Sequence, residues 1–128
     1  MKTRYTVALS LLAGAALGAA AVQGLHAQAK PKAFIISESE VLDAAALAAY
    51  TSKLREVQKA HGARLVFPAG GKVIASVGEP PKRIGVTEYE SAEKAQAYLS
   101  SDARKALAPE RDKAVKILRQ YIVEGPAN

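Results

Sequence analysis

From residue 33 onward the apolar positions alternate by twos, then recur by threes and fours, then alternate by twos again. The run Ala33 to Val41, "AFIISESEV", predicts a strand with Phe34, Ile36, Glu38 and Glu40 on one face and Ala33, Ile35, Ser37, Ser39 and Val41 on the other. Asp43 has the chemistry of a helix N-cap. Leu47, Tyr50, Leu54, Val57 and His61 then follow at helical spacing, and Gly62 supplies a left-handed stop. Ala63 to Phe67 reads as a second strand closed by Pro68 and "AGG". Lys72 to Val77 is expected to pair back as an edge ribbon, ended by Pro80 and Pro81.

"RIGVTEYE", Arg83 to Glu90, predicts the third main strand, with Ile84, Val86 and Glu88 on one face and Gly85, Thr87 and Tyr89 on the other. Ser91 caps the next helix, Asp102 restarts it after two serines, and Pro109 opens a further piece read as Glu110 to Leu118. Gln120 to Gly125 closes as a strand. The order strand, helix, strand, strand, broken helix, strand predicts an α+β fold. It is a ferredoxin-like βαββαβ sandwich, a four-stranded antiparallel sheet with helices on one face. The first and third strands are expected as neighbours, taken to run parallel. The uncovered sheet face implies a homodimer, a second copy serving as the cover.

The N-terminus changes the picture of where the chain goes. Lys2 and Arg4 precede an apolar, uncharged run from Thr6 to Val22, and Ala27 and Ala29 flank Gln28. This reads as a secretory signal (residues 1–29) cleaved after Ala29, which leaves one domain over residues 30–128. An uncleaved anchor is the alternative reading. Cleavage predicts an exported, periplasmic or secreted protein without stable membrane insertion.

Composition narrows the chemistry. The chain has no cysteine, so disulfides, thiol catalysis and thiolate metal sites are excluded. Eighteen Lys and Arg against 12 Asp and Glu give a net charge of +6, and two of the basic residues fall in the leader. The remaining charges are mixed in sign, which suits a soluble surface better than a nucleic-acid tract. "PAGGK" lacks the rest of a phosphate loop and precedes no helix, so it reads as a hairpin turn; no G-x-S-x-G occurs, and no cofactor motif is present. "RIGVTEYE" also lacks the aromatic pattern of an RNA-recognition strand, so no nucleic-acid partner is expected.

Three groups of side chains remain as candidates for chemistry. Glu38 and Glu88, if their faces coincide, would form a carboxylate pair with at least one raised pKa, as a general acid or base requires; the alternative is that each pairs with Lys or Arg. Arg83 opens its strand and could grip a carboxylate or phosphate, or pair with Glu79 or Glu90 at the sheet edge. His61 is either a proton shuttle or a helix-end cap. One histidine without cysteines or a suitable carboxylate spacing falls short of a metal site.

"AFIISESEV" with Asp43, "AHGARLVFPAGGKV", "VGEPPKRIGVTEYESAEKAQAYLSSD", "AP-ER" and the closing "YIVEG" together resemble the domain of unknown function 1330 family. The resemblance spans nearly all of the chain after the leader. It implies a ferredoxin-like subunit of a dimeric α/β barrel, a fold shared by cofactor-free monooxygenases, isomerases, haem proteins and non-catalytic binders. "YLSSDARK", Tyr98 to Lys105, departs from the family's Ser-Pro-Glu-Tyr, and Tyr89 stands where phenylalanine is usual. Taken with the leader and the candidate residues, the expected function is an exported homodimer whose barrel cavity holds a small organic or anionic molecule, either as a binder or as a cofactor-free enzyme. Glu38, Glu88 and His61 are the catalytic candidates, and Arg83 and Tyr89 the ligand-binding ones. The alternative is a non-catalytic interaction or scaffold module.

Overall fold

Beta-branched and aromatic residues fill half of the strand positions in the computed structural model, which describes residues 30–126. The signal segment and its cleavage site lie outside those residues. The elements are β1 (Ala33–Val41), α1 (Ala44–Ala60), β2 (Arg64–Phe67), β3 (Arg83–Tyr89), α2 (Ala92–Ser100), α3 (Asp102–Ala106), α4 (Ala108–Ala114) and β4 (Val115–Glu124). The sheet runs β2-β3-β1-β4. Every neighbouring pair is antiparallel, including β1 with β3, which corrects the parallel pairing expected from the sequence. The reason is topological: a crossover makes β1 and β2 co-directional, and β3 returns between them. The architecture is the ferredoxin-like α+β sandwich.

The caps act as the sequence predicts. Asp43 Oδ1 accepts from the Ala46 amide at 2.8 Å, and Ser91 Oγ accepts from the Lys94 amide at 3.3 Å. Gly62 takes φ +74°, so α1 ends where only a residue without a Cβ turns cheaply.

Two elements differ from expectation. Lys72–Val77 forms no strand, and Ile74 and Val77 are 80% and 92% exposed. The glycines before it and the prolines after it carry the chain away from the short edge strand β2. The helix expected to reach Leu118 stops at Ala114, because Val115 onward pairs with the whole length of β1. Long-range ladder bonds outweigh the weak helical preference of "VKIL". A bulge where Glu38 and Ser39 meet Arg119 and Ile117 absorbs the extra residue, Leu118.

The core lies between the helices and the odd-numbered residues of β1 and β3. Ala33, Ile35, Tyr89, Ala95 and Tyr98 form one buried cluster, and Tyr50, Ala114 and Val115 a second. Tyr98 joins the layers: it stacks on Tyr89 at 5.5 Å, takes His61 edge-on at 5.8 Å, and lies under the Arg104 guanidinium at 5.7 Å.

Candidate ligand cavity between sheet and helices

Strand alternation puts Ser37 and Ser39 of β1 and Arg83, Gly85 and Thr87 of β3 on the helix-facing side of the sheet. Gly85 stands beside Ser37 in the ladder and has no side chain to fill the space above it; a Cβ there would come within 3.1 Å of Ala69 Cβ. The result is a cavity of about 120 Å³ floored by these residues and roofed by Leu47, Tyr50 and Leu54 of α1.

The polar groups on that floor are ordered. Arg83 Nη1 donates to Ser39 Oγ at 3.1 Å. Arg104 Nη2 donates to Gln120 Oε1 at 2.8 Å, and Gln120 Nε2 donates to Ser37 Oγ at 2.8 Å. Because arginine has no acceptor, Gln120 must present its oxygen to Arg104 and its amide hydrogens to Ser37. Among the described lining residues every formally charged one is an arginine: Arg55, Arg83 and Arg104. Burial pushes Arg83 below the usual arginine range, and the nearby Tyr50 phenol offsets this only in part. The Tyr50 phenol is itself pushed up, chiefly by burial.

Of the candidates read from the sequence, Arg83 alone lines this cavity. Glu38 and Glu88 lie on the opposite, open face and do not meet, for Glu38 is level with Ile84 and Glu88 with Phe34. Each has its own cations. Glu88 takes Arg64 through both carboxylate oxygens, at 2.8 and 3.2 Å, and Lys32 at 2.9 Å. These bonds hold its carboxyl well down, at about 2, the opposite of the raised value that acid–base work near neutrality needs. Glu38 is bonded by Arg119 Nε.

His61 follows the capping alternative: Nδ1 donates to the Val57 carbonyl at 2.8 Å, and its ring packs on Tyr98. Tyr89 is 1% exposed, inside the core and not at the cavity wall, so no ligand reaches it directly. Its hydroxyl finds no hydrogen-bond partner among the described residues, although the Thr87 hydroxyl approaches it. Sequence reasoning missed Ser37, Ser39, Tyr50, Arg104 and Gln120 as lining residues. Two serines on the inward face of a central strand were the available signal, since buried hydroxyls need a partner.

The domain of unknown function DUF1330 matches residues 32–126. The chain belongs to the DUF1330 family. Among curated protein sequences none matches it. By structure this DUF1330 protein is similar to one of unknown function from Rhodopseudomonas palustris, with TM-score 0.61 and 15% identity over 76% of this chain and 84% of that one. It is also similar to SnoaB, a cofactor-independent oxygenase from Streptomyces nogalater, with TM-score 0.52 and 5% identity over 77% of this chain and 96% of that one. Identities this low speak to the fold alone. Among the described residues no helix is long and apolar enough to cross a membrane, and no His/Asp/Glu cluster is arranged to hold a metal ion.

Proposed function

We propose that this DUF1330 protein is an exported homodimer that binds a small organic molecule in the cavity between its sheet and its helices. The observation that carries this reading is the wall itself: apolar side chains from α1 above, and an ordered polar floor of Ser37, Ser39, Arg83 and Gln120 below. An interaction scaffold has no use for such a cavity, which leaves apolar surface unpacked inside the protomer. Binding is favoured over turnover by the titratable groups present. The two lining phenols, Tyr50 and Tyr98, are pushed up by burial, so neither serves as a base near neutral pH. The cofactor-free catalysis of SnoaB is therefore not carried over with the fold.

The dimer reading is supported by the open sheet face. Phe34, Ile36, Ile84 and Val86 form its half-buried centre, and Phe67, Tyr121 and Val123 extend it, each 42% exposed. The Lys32–Glu88–Arg64 and Glu38–Arg119 groups rim this apolar band at its two ends. Native mass spectrometry of protein taken from its own compartment tests all three parts. The expected species is a dimer of chains that begin after Ala29, carrying a small molecule lost on denaturation; a ligand-free monomer of full-length chains overturns the reading.

A further inference from the structure

The cavity floor is rich in donors and poor in acceptors. Ser39 Oγ already accepts from Arg83, and Ser37 Oγ accepts from Gln120. Neither hydroxyl hydrogen has an acceptor among the described residues, so both are free to donate to something in the cavity. The two serines are alternate residues on one strand face, roughly 7 Å apart along the strand. Arg83 reaches Ser39 from β3, and Gln120, held by Arg104, reaches Ser37 from the β4 side.

The three lining guanidiniums are not equally available, and Arg55 is exposed to solvent. Arg104 is spent on Gln120, on the Leu99 carbonyl and on the Tyr98 ring. Arg83 has one hydrogen bond, to a neutral hydroxyl, and no carboxylate among the influences on its charge. One half-buried guanidinium without a counter-ion calls for one negative charge. The apolar part of the wall, including Leu47, Leu54, Leu65 and Ile117, calls for hydrocarbon.

We propose that the ligand of this cavity is an organic monocarboxylate whose carboxylate is held by Arg83 with the hydroxyls of Ser37 and Ser39, and whose apolar body lies against α1. A carboxylate has two coplanar oxygens, which one guanidinium edge and a neighbouring hydroxyl satisfy together. A phosphate monoester carries more charge than Arg83, the one half-buried and uncommitted arginine of the wall, offsets, Arg55 being exposed to solvent that screens it. The inference rests on the reading that the cavity binds a small organic molecule, and its test separates the two.

The test titrates the full chain with benzoate and octanoate, and in parallel with benzamide, octanamide and phenyl phosphate, followed by amide chemical shifts. The expected result is that an acid shifts the amides of Ser37, Ser39 and Gly85, while the matching amide binds about tenfold to a hundredfold more weakly, the range for a lost charge-assisted hydrogen bond. R83Q is expected to remove that preference for the acid. The acid–amide comparison on the unaltered chain decides the matter even where R83Q misfolds. A neutral amide that binds as tightly as its acid, or phenyl phosphate binding more tightly than benzoate, overturns the carboxylate assignment and leaves the cavity reading standing. If all five probes leave these amides unmoved, both fall together.

Discussion

Glu38 and Glu88 share one face of the sheet yet stand at opposite ends of the β1–β3 ladder, Glu38 level with Ile84 and Glu88 level with Phe34. Each is covered by the long cations that bond it, and each side chain is only 11% exposed. They are two separate electrostatic latches on the open face, not an acid–base pair. Neither borders the cavity.

The Glu88 latch has a defined pH signature. Its carboxyl is depressed from 4.5 to about 2, first by the Arg64 hydrogen bond and next by that from Lys32, with burial opposing. A depressed carboxyl contributes stability that is complete above its unfolded value and is lost as pH falls through the folded one. E88Q is therefore expected to be less stable than the unaltered protein at pH 7, with a gap that narrows below about pH 4.5 and closes near pH 2. Urea midpoints of both proteins across that range check it. A gap that stays constant down to pH 2 removes the latch.

Tyr89 carries the core's one unpartnered buried hydroxyl among the described side chains. Such a group costs its desolvation without return, so Y89F is expected to raise unfolding free energy by about 1 kcal/mol. Equilibrium urea unfolding measures it, and a clear loss of stability would mean that the Thr87 hydroxyl is a true partner.

Tyr98 fastens α2 to the sheet, to His61 and to Arg104 at once. At 3% exposure it has little room to be replaced by solvent. Y98A is expected to cost about 3–5 kcal/mol, the usual range for deleting a buried aromatic ring. H61A should cost much less, because its bonds lie at the end of α1. Comparable losses in the two variants, read from the same unfolding curves, would place the anchor elsewhere.

Gly85 keeps the cavity open. G85V puts a branched side chain above Ser37, towards Ala69, and is expected to weaken benzoate binding by about tenfold or more while strand propensity improves. Affinity from the amide titration checks this; undiminished affinity would move the site away from β3.

Ile36 sits mid-face on the open side of the sheet, between Val86 and Tyr121 in the ladders. I36K places a charge at the centre of the proposed dimer contact. Sedimentation is expected to show a shift from dimer to monomer, with the far-ultraviolet spectrum retained. A persistent dimer would show that the contact uses another surface.

Local chemistry made much of the fold legible. Asp43 and Ser91 mark helix starts, Gly62 marks a stop, and the alternation in "AFIISESEV" and "RIGVTEYE" sorts their residues into two faces. These are short-range preferences, carried by a capping oxygen, a missing Cβ or a period of two. "KVIASV" and "VKIL" were misread for the complementary reason. Each has strand-like or helix-like residues, and which state wins depends on whether a partner edge is within reach. β1 offers one to Val115 onward, and nothing offers one to Lys72–Val77.

The candidate site shows the same division. By itself the sequence determined that Glu38 and Glu88 share a phase with large apolar residues, that Arg83 opens a strand, and that two serines alternate on β1. It also determined the family. Only the tertiary structure decided that the glutamates sit far apart under separate cations, because direction and register in a sheet are set by crossover topology. It alone joined Arg83 to Ser39, and Arg104 through Gln120 to Ser37, across three strands and a helix. A cavity is the space left when distant segments pack. No local preference encodes it, and an arginine becomes a ligand contact only once its neighbours leave it without a counter-ion.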